Sequence, residues 1–517
     1  MRADQEKYIL ENVDKKSAQQ LARDLGVTER KIKRFIRLRH VPVRRSAKSK
    51  SFISPASRKK LLTISILVII FVTAIVFIAS LFNGFIEWDD PDYVYENPLI
   101  RTFSPGNIEA IFTRSFQGAY CPLTIISYAC EYHFFKANPF IYHFTNYILH
   151  IAVSLLVFAS IYLLAKDMLV ALFVSLIFGI HPLHVESVAW IAERKDVLYA
   201  FFYMLAILAY QRYLIKRRYV YYLLCLFLAV LSFFAKPMAV TLPIILFLFD
   251  YMYGREFKIP VILEKIPIFV IALLVGFISY KFQVISGVTN IGADNLVRVY
   301  FILKQIPFYL SKMAFPFPLS AVYMFYNIGP EHNIEIYFNI FLLITLSGIV
   351  LFSMRYTKNI FFGAAFFLIT LAPVLKIIPV GDVFAADRYM YIPSIGILYI
   401  AGVLIRRLVF NERCNSFLRV AVTLILMIWI VFLGAITIQR CGIWKNSETF
   451  FLDILRQNPG VPTANNNLGG YYIGRGEYDK AMVYLERALE GNPSAELRSM
   501  IEENLRIARF KKGLSQN

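Results

Sequence analysis

The chain has 517 residues, of which 58% are hydrophobic and 17% are charged, whereas about 25% of the residues of a soluble domain are charged. Together with a mean hydropathy of +0.55, this excludes an ordinary soluble protein and predicts an all-α, polytopic membrane protein. The net charge of +20 is uneven, because residues 1–60 hold 18 Lys/Arg against 6 Asp/Glu, which predicts a cytoplasmic end beside the membrane.

Residues 1–60 are predicted to form a basic cytoplasmic head. The stretch 17–35 resembles a helix-turn-helix, in which Gly26 makes the turn and Thr28 caps the second helix. Its expected apolar core consists of Leu21, Ala22, Leu25, Val27, Ile32 and Phe35. A small helical head, or a basic region lying against anionic lipid, is preferred over DNA binding, so nucleic acid is not an expected partner. The first apolar run starts too late and is too long for a cleavable signal peptide.

Residues 61–440 are predicted to form the transmembrane domain, with about eleven spans of roughly 20 residues each. The predicted spans are 61–82, 143–165, 168–183, 196–214, 219–235, 238–253, 266–283, 334–354, 360–377, 391–407 and 417–438. Basic loop ends put the N-terminus in the cytoplasm and the C-terminus outside, in what we expect to be a bacterial cytoplasmic membrane. The segment 297–315 carries three basic residues and is predicted to be interfacial or re-entrant rather than a span.

The first extracytoplasmic loop, 83–142, opens with an acidic stretch, Trp88-Asp89-Asp90-Pro91-Asp92, directly after the first apolar run. A carboxylate this close to hydrocarbon costs several kcal/mol (roughly 2.5–3.5 for Asp at a helix centre) unless it is solvated or used, which favours a position at the mouth of a cavity. Cys121 and Cys130 of this loop can pair in an oxidising compartment, although free thiols are the preferred interpretation.

Further polar residues collect at the ends of later spans, on the face predicted to lie outside. They are His181, His184, Glu186, Glu193-Arg194-Lys195-Asp196, Lys236 and Asp387-Arg388-Tyr389-Met390-Tyr391. A carboxylate can act as a general base toward a hydroxyl, arginine and lysine can hold a phosphate, and an apolar bundle can admit a lipid tail. This mixture favours transfer from a lipid-phosphate donor to an outside acceptor. The alternatives are a transporter or flippase of lipid-linked sugars and a non-catalytic membrane scaffold.

The tail, 441–517, is predicted to be a short extracytoplasmic tetratricopeptide module. A 34-residue frame with Gly469 at its position 8 places Leu468, Tyr472, Ala481, Leu485, Ala488 and Pro493 at the expected positions, while Asn465 stands where the pattern has Trp. One such repeat buries too little apolar surface to fold alone. The tail is therefore predicted to be a lid over the outer face that helps to choose the acceptor, or else a docking module for a protein partner.

Several motifs occur in a fixed order between residues 83 and 495. They are Trp88-Asp89-Asp90 with Asn97, Pro122-Leu123-Thr124, His143-Phe144-Thr145-Asn146 with His150, the stretch from His181 to Val188, the stretch from Arg388 to Ser394, Trp444-Lys445-Asn446-Ser447, and the repeat. The ordered set resembles the C-fold (GT-C) glycosyltransferases, and within them the transmembrane-and-tetratricopeptide O-mannosyltransferase family and its bacterial relatives. The short repeat array and the basic head depart from that pattern, so the sugar and the acceptor are not carried over.

The resemblance implies a membrane glycosyltransferase that uses a polyprenyl-phosphate sugar and acts on a protein or glycan hydroxyl. It also implies that the acidic pair is the catalytic centre, with Asp89 favoured over Asp90 as the base. The cations expected at the donor phosphate are Arg388, Lys236 and Arg194, and the expected lining of the acceptor site is His181, His184, Glu186, Tyr389 and Tyr391. A divalent cation, Mg or Mn, on Asp89 and Asp90 is an open option, because some C-fold enzymes use one and others do not.

Overall fold

The computed structural model describes residues 3–12, 18–29, 31–32, 55–287, 295–324, 333–375, 383–409 and 415–516. Its helices confirm the prediction of an all-α, polytopic membrane fold. The longer helices are α1 (Ala3–Asn12), α2 (Ala18–Asp24), α3 (Pro55–Phe77), α4 (Pro105–Thr113), α5 (Pro122–Phe135), α6 (Pro139–Ala165), α7 (Met168–Ile180), α8 (Val185–Ala189), α9 (Arg194–Lys216), α10 (Tyr219–Ala235), α11 (Leu242–Met252), α12 (Ile259–Leu263), α13 (Ile266–Ile285), α14 (Asn295–Ala314), α15 (Asn333–Ser353), α16 (Asn359–Leu371), α17 (Ser394–Val409), α18 (Ser416–Cys441), α19 (Ser447–Gln457), α20 (Pro462–Gly474), α21 (Tyr478–Glu490) and α22 (Ala495–Gln516).

Short single-turn elements connect many of these helices. They are 3₁₀ turns at Ile78–Phe82, Pro98–Ile100, Pro182–His184, Ile191–Glu193, Pro237–Thr241, Ala372–Val374, Asp387–Met390 and Gly442–Trp444, and a π turn at Pro91–Tyr95. Two short strands, β1 (Tyr323–Met324) and β2 (Val383–Ala385), pair antiparallel, with Tyr323 opposite Ala385. Because β2 leads directly into the turn that carries Arg388, this pairing fixes one wall of the cavity described below.

Six described helical segments are individually long and apolar enough to cross a membrane, or seven if a pair bent by 55° counts as one span. The six are Ala56–Phe82, Pro139–Ala165, Ile191–Lys216, Ile259–Ile285, Ile334–Ser353 and Ser416–Trp444, and the bent pair is Met168–Ile180 with Pro182–Ala189. Three shorter apolar helices coincide with further predicted spans, namely Tyr219–Ala235, Pro237–Met252 and Asn359–Val374. The count of eleven spans therefore stays a prediction. Residues 295–314 form a helix that contains Pro307 and is not one of these spans.

The chain divides into two compact units, residues 1–65 and residues 66–517. In the first unit, Gly26 has a φ of +60°, which suits glycine, and it turns the chain after α2 as the sequence predicts. The buried core consists of Ile9, Leu21, Ala22 and Ile32, with Leu25 and Val27 packed against it. Phe35, the last residue of the predicted core, lies outside the described residues.

In the second unit, α16 and α17 approach so closely that only glycine fits between them. A Cβ added to Gly396 would lie 2.3 Å from the carbonyl oxygen of Gly363 and 2.8 Å from the amide nitrogen of Phe367. Both neighbours are backbone atoms, so the helices themselves would have to separate. Small residues at such crossings let membrane helices gain van der Waals contact.

We therefore expect Gly396→Ala to lower the stability of the folded protein by about 2 kcal/mol, the cost of overpacking a tight contact. Gly348→Ala in α15 is the matched control, because a Cβ there meets nothing within 4 Å among the described residues. The control is expected to be neutral or slightly stabilising, since alanine is the better helix former. Thermal unfolding in one detergent measures both variants, and equal melting temperatures would refute the close crossing.

A network of buried charges ties α9, α11 and the start of α13 together. The ammonium of Lys265 lies 2.9 Å from the Asp250 carboxylate and 3.0 Å from Glu264, while Arg255 lies 2.6 Å from Glu264. The Tyr210 hydroxyl donates to Asp250 at 2.7 Å. None of these residues lines the cavity described below, so the network is structural. It provides a useful control for the charges of that cavity.

The tail folds into the helical hairpin predicted for 461–493, formed by α20 and α21. The predicted inner residues are all buried: Leu468, Tyr472, Ala481, Leu485 and Ala488. Helix α22 completes the burial, because Ile501 and Leu505 pack against Leu485 and Ala488. The tail therefore buries its apolar faces against its own flanking helices, α19 and α22, to a larger extent than a single repeat allows.

Candidate functional site

Residues 83–87, which lead into the acidic stretch 88–92, are held by hydrogen bonds to the start of the tail. The Asn83 side chain donates to the carbonyl of Cys441 at 3.0 Å, and the Gly84 amide donates to the carbonyl of Lys445 at 2.8 Å. The Glu87 amide donates to the Ser447 hydroxyl at 2.9 Å. The first loop and residues 441–447 thus form one rigid corner, which fixes where the acidic pair stands.

Asp89 and Asp90 have opposite surroundings. Asp90 is fully buried, and its two carboxylate oxygens accept from the amides of Ile86 at 2.8 Å and of Ala192 at 2.9 Å. The carboxylate of Asp89 has neither a hydrogen-bond nor an ion-pair partner among the residues that the structure describes, and it lines a cavity of about 780 Å³. Asp90 therefore fixes the backbone, and Asp89 presents an available carboxylate.

The cavity has a charged part and an apolar part. The charged residues of its wall are Asp89, Glu193, Lys195, Lys236 and Arg388. The apolar part includes Met238, Val240, Ile244, Ile369, Val374 and Leu375, and Tyr93, Gln117, Cys121, Ser279, Tyr280, Gln283 and Tyr389 add polar atoms. A cavity lined by both charged and apolar side chains suits an amphiphile that has an anionic head group and an apolar tail.

Three cations meet at Glu193. The ammonium of Lys195 lies 3.1 Å from one carboxylate oxygen, Arg388 Nε lies 3.3 Å from the same oxygen, and the ammonium of Lys236 lies 3.4 Å from the other. Further partners stand behind two of the cations, because Lys236 is 2.6 Å from Asp196 and Arg388 pairs with Glu186. These contacts give each of the three cations at least one carboxylate partner in a largely buried wall.

The electrostatics of the acidic pair follow from burial. Burial raises the pKa of Asp89 above its ordinary value of 3.8, an effect that Lys195 partly offsets and Glu193 reinforces. Burial also raises the pKa of Asp90 to about 7, against the opposing effect of its two backbone hydrogen bonds. Burial raises the pKa of the nearby Cys121 thiol to about 11, so it stays protonated at neutral pH. Cys121 and Cys130 are both free thiols.

Four of the sequence-predicted residues lie together at the cavity, namely Asp89, Lys236, Arg388 and Tyr389. Arg194 is not at the cavity, contrary to expectation: it is fully buried, pairs with Glu131, and donates to Asn146 at 2.9 Å and to the carbonyl of Tyr142 at 2.8 Å. Successive helical residues point about 100° apart, so the same turn that buries Arg194 directs Lys195 to the cavity.

The predicted acceptor residues from the end of the third span also lie elsewhere. His181 is bonded to the amide of Leu183 and the carbonyl of Met313, and His184 contacts the carbonyl of Phe178 at 2.7 Å and the Ser394 hydroxyl at 3.2 Å. Glu186 is buried behind Arg388, and the Tyr391 hydroxyl is 2.7 Å from His150 Nδ1. None of these four lines the cavity, because each is used to fix the loops around it.

Sequence reasoning missed Glu193 and Lys195 as lining residues. Both stand in the quoted motif Glu193-Arg194-Lys195-Asp196, but sequence alone did not say which member of a four-residue charged run faces inward. The 3₁₀ turn Ile191–Glu193 ahead of α9 sets that register. No local pattern marks Lys195, because its contact with the ring of Tyr93, 4.7 Å from the ring centre, joins residues that lie far apart in the chain.

The residues present do not fit a divalent cation held by both members of the acidic pair. Both oxygens of Asp90 already accept backbone amides, and Glu193 is surrounded by three cations. Among the described residues, no group of three His, Cys, Asp or Glu side chains has metal-binding geometry. Asp89 alone would hold a Mg²⁺ or Mn²⁺ ion, whose other ligands would have to come from water and the substrate phosphate. The mechanism below therefore uses side chains only.

The chain is similar in sequence to protein O-mannosyl-transferases, which confirms the resemblance. Protein O-mannosyl-transferase TMTC3 of Mus musculus is 22% identical over 87% of this chain and 53% of its own length. Protein O-mannosyl-transferase F38B6.6 of Caenorhabditis elegans is 23% identical over 84% of this chain and 63% of its own length. The chain thus spans about half the length of the first of these relatives.

No protein-family model matches the chain. A solved structure of the Archaeoglobus fulgidus oligosaccharyltransferase, tethered to an acceptor peptide that contains an NVT sequon, aligns with 81% of this chain and 58% of its own. That alignment has 12% sequence identity and a TM-score of 0.42.

Proposed function

We propose that this chain is an integral-membrane glycosyltransferase that moves a sugar from a polyprenyl-phosphate donor to a protein or glycan hydroxyl outside the cytoplasm. One observation carries the proposal: Asp89, whose carboxylate has no hydrogen-bond or ion-pair partner in the described part of the chain, shares a cavity with three cations and an apolar wall. The relatives' names support mannose as the sugar to test first and a protein as the acceptor. The proposed setting is a bacterial cytoplasmic membrane, with the N-terminus inside and the C-terminus outside.

In this mechanism the Asp89 carboxylate is the general base. It takes the proton from the acceptor hydroxyl while the acceptor oxygen forms a bond to the anomeric carbon of the sugar. The bond between that carbon and the donor phosphate oxygen breaks, and its electron pair leaves with the phosphate. The products are the glycosylated acceptor, polyprenyl phosphate and protonated Asp89, which returns its proton to water.

The cations of the wall stabilise the leaving phosphate. Lys236 and Arg388 were expected there from the sequence, and both line the same cavity as Asp89. Preorganised cations act most strongly where water is excluded, and their side chains are only 11% and 19% exposed. The apolar lining from the turn Pro237–Thr241, from α11 and from the end of α16 gives the polyprenyl chain a place that requires no hydrogen bonds.

Sugar transfer in proteoliposomes tests the proposal directly. The purified chain is incubated with polyprenyl-phosphate mannose and a hydroxyl-bearing peptide, and the mannosylated peptide is measured by mass spectrometry. Transport of the donor without transfer would favour a flippase, and neither activity would favour a membrane scaffold. A positive result requires a product that appears only with both the donor and the acceptor.

The tail is proposed to act on the acceptor rather than on the donor. No described residue beyond Tyr389 lines the cavity, although α19 packs on the acidic segment, with Phe450 5.6 Å from the Trp88 ring. Deleting 461–517 is therefore expected to leave donor binding intact and to abolish transfer to the natural protein acceptor, while a minimal peptide still reacts. Undiminished transfer to both acceptors would instead make the tail an independent docking module.

A further inference from the structure

The three cations that contact Glu193 differ in how many other carboxylate partners they have. Arg388 keeps Glu186 as a second carboxylate, which also accepts from the Arg388 amide at 2.9 Å, and Lys236 keeps Asp196 at 2.6 Å. Lys195 has Glu193 as its ion-pair partner, and its remaining contacts are the carbonyl of Ala192 at 3.2 Å and the ring faces of Tyr93 and Trp190. Lys195 is therefore the cation that an incoming anion can recruit at the smallest cost.

The charge balance of the wall points the same way. Three cations face three paired carboxylates, and Asp89 adds a fourth negative charge that no described residue pairs. A phosphate that enters this wall must share cations already engaged by Glu193, because buried charges require partners. Lys195 is also the cation whose charge most strongly favours ionised Asp89, so it stands beside the reacting groups.

We propose that Lys195 binds the phosphate of the lipid donor, and that Glu193 is a positioning residue which holds Lys195, Lys236 and Arg388 around that phosphate. The identity of the anion as a lipid phosphate rests on the proposed function. The sequence had assigned this role to Arg194, the buried neighbour of Lys195. Glu193 holds the three cations together while the site is empty, and the phosphate takes over part of their ion pairing when it binds.

The first test is Glu193→Gln, measured by binding of polyprenyl phosphate in nanodiscs and by sugar transfer. Removing one negative charge beside the phosphate is expected to tighten binding about fivefold. Releasing the three cations from their common anchor is expected to lower kcat about tenfold or more, because they no longer meet the phosphate in a fixed geometry. A folded variant with unchanged kcat, or with weaker binding, would overturn the role of Glu193.

The matched control for this substitution is Glu264→Gln. Glu264 likewise joins two cations, Arg255 at 2.6 Å and Lys265 at 3.0 Å, but it does not line the cavity. Its loss is expected to lower the melting temperature without changing polyprenyl phosphate affinity or kcat. If Glu193 were only structural, Glu193→Gln and Glu264→Gln would behave alike. Tighter polyprenyl phosphate binding together with slower transfer in Glu193→Gln alone therefore supports a positioning role.

The second test, Lys195→Met, decides the proposal even if Glu193→Gln fails to fold. Methionine keeps the length and apolar stem of lysine, and Glu193 retains two cations. We expect polyprenyl phosphate to bind about tenfold more weakly, and affinity equal to that of the wild type would refute phosphate binding by Lys195. If the wild-type protein binds polyprenyl phosphate but transfers no sugar, the proposed function is wrong and phosphate binding by Lys195 still holds. If the wild-type protein does not bind polyprenyl phosphate, this inference is wrong.

Discussion

Asp89→Asn is expected to lower the rate of sugar transfer by about 10³-fold, the middle of the range for the loss of a general base. The amide has the shape of the carboxylate but cannot take the acceptor proton. Because Asp89 has no hydrogen-bond or ion-pair partner among the described residues, the substitution removes no contact, and the melting temperature should stay unchanged. Polyprenyl phosphate should bind at least as well as before, since a negative charge has left the wall.

Asp92→Asn is the matched control for that substitution. It removes a carboxylate from the same acidic segment, three positions further on, where the side chain is exposed and contacts Gln117. Transfer by this variant is expected to stay within twofold of the wild type. A rate for Asp89→Asn that equals the rate for Asp92→Asn would remove Asp89 from the mechanism.

The pH dependence of sugar transfer by the wild type is a second test of Asp89 as the general base. Burial raises the pKa of Asp89, so the protonated, inactive form persists to higher pH than for an ordinary aspartate. Transfer should therefore be full above the raised pKa and fall as the pH drops through it. This acidic limb of kcat/KM should lie above 3.8, the ordinary pKa of an aspartate, and disappear from the residual activity of Asp89→Asn.

The acidic pair illustrates what sequence reasoning reaches and where it stops. The motif Trp88-Asp89-Asp90 after an apolar run was sufficient to indicate a site, because unpaired charge beside a membrane requires a reason. It did not separate the two carboxylates on physical grounds. That difference depends on the amide of Ala192, which is 102 residues away along the chain and meets Asp90 at 2.9 Å.

The span count shows a related limit. Long apolar runs with basic ends identified the six strongest candidate spans, because hydropathy over a window of about 20 residues is a local property. The two helices on either side of Lys236 are shorter: α10 has 17 residues and α11 has 11, with a 3₁₀ turn at Pro237–Thr241 between them. Lys236 stands at that break and pairs with residues of α9 and the turn before it, a contact that no local pattern encodes.

A buried ion pair contributes to the connection between the tail and the membrane domain, and breaking it is expected to have a large effect. Arg440, at the end of α18, lies 2.9 Å from the Asp453 carboxylate of α19, and each side chain is only 10% exposed. Asp453 also accepts from the amide of Ala321 at 3.2 Å. Asp453→Asn leaves the Arg440 charge buried without its partner, so we expect a loss of about 3 kcal/mol of stability.

Two further variants make this last prediction sharp. Glu477→Gln breaks the exposed pairs that Glu477 forms with Arg475 and Lys480, and it should change the melting temperature little, because water solvates all three side chains. The double variant Arg440→Met with Asp453→Met removes both charges, so it should recover much of the stability lost in Asp453→Asn. Thermal unfolding compares all three with the wild type. If Asp453→Asn costs no more than Glu477→Gln, the ion pair does not anchor α19. If it is as costly as expected, transfer should fall with it, because α19 packs Phe450 and Phe451 against Trp88, the residue before Asp89.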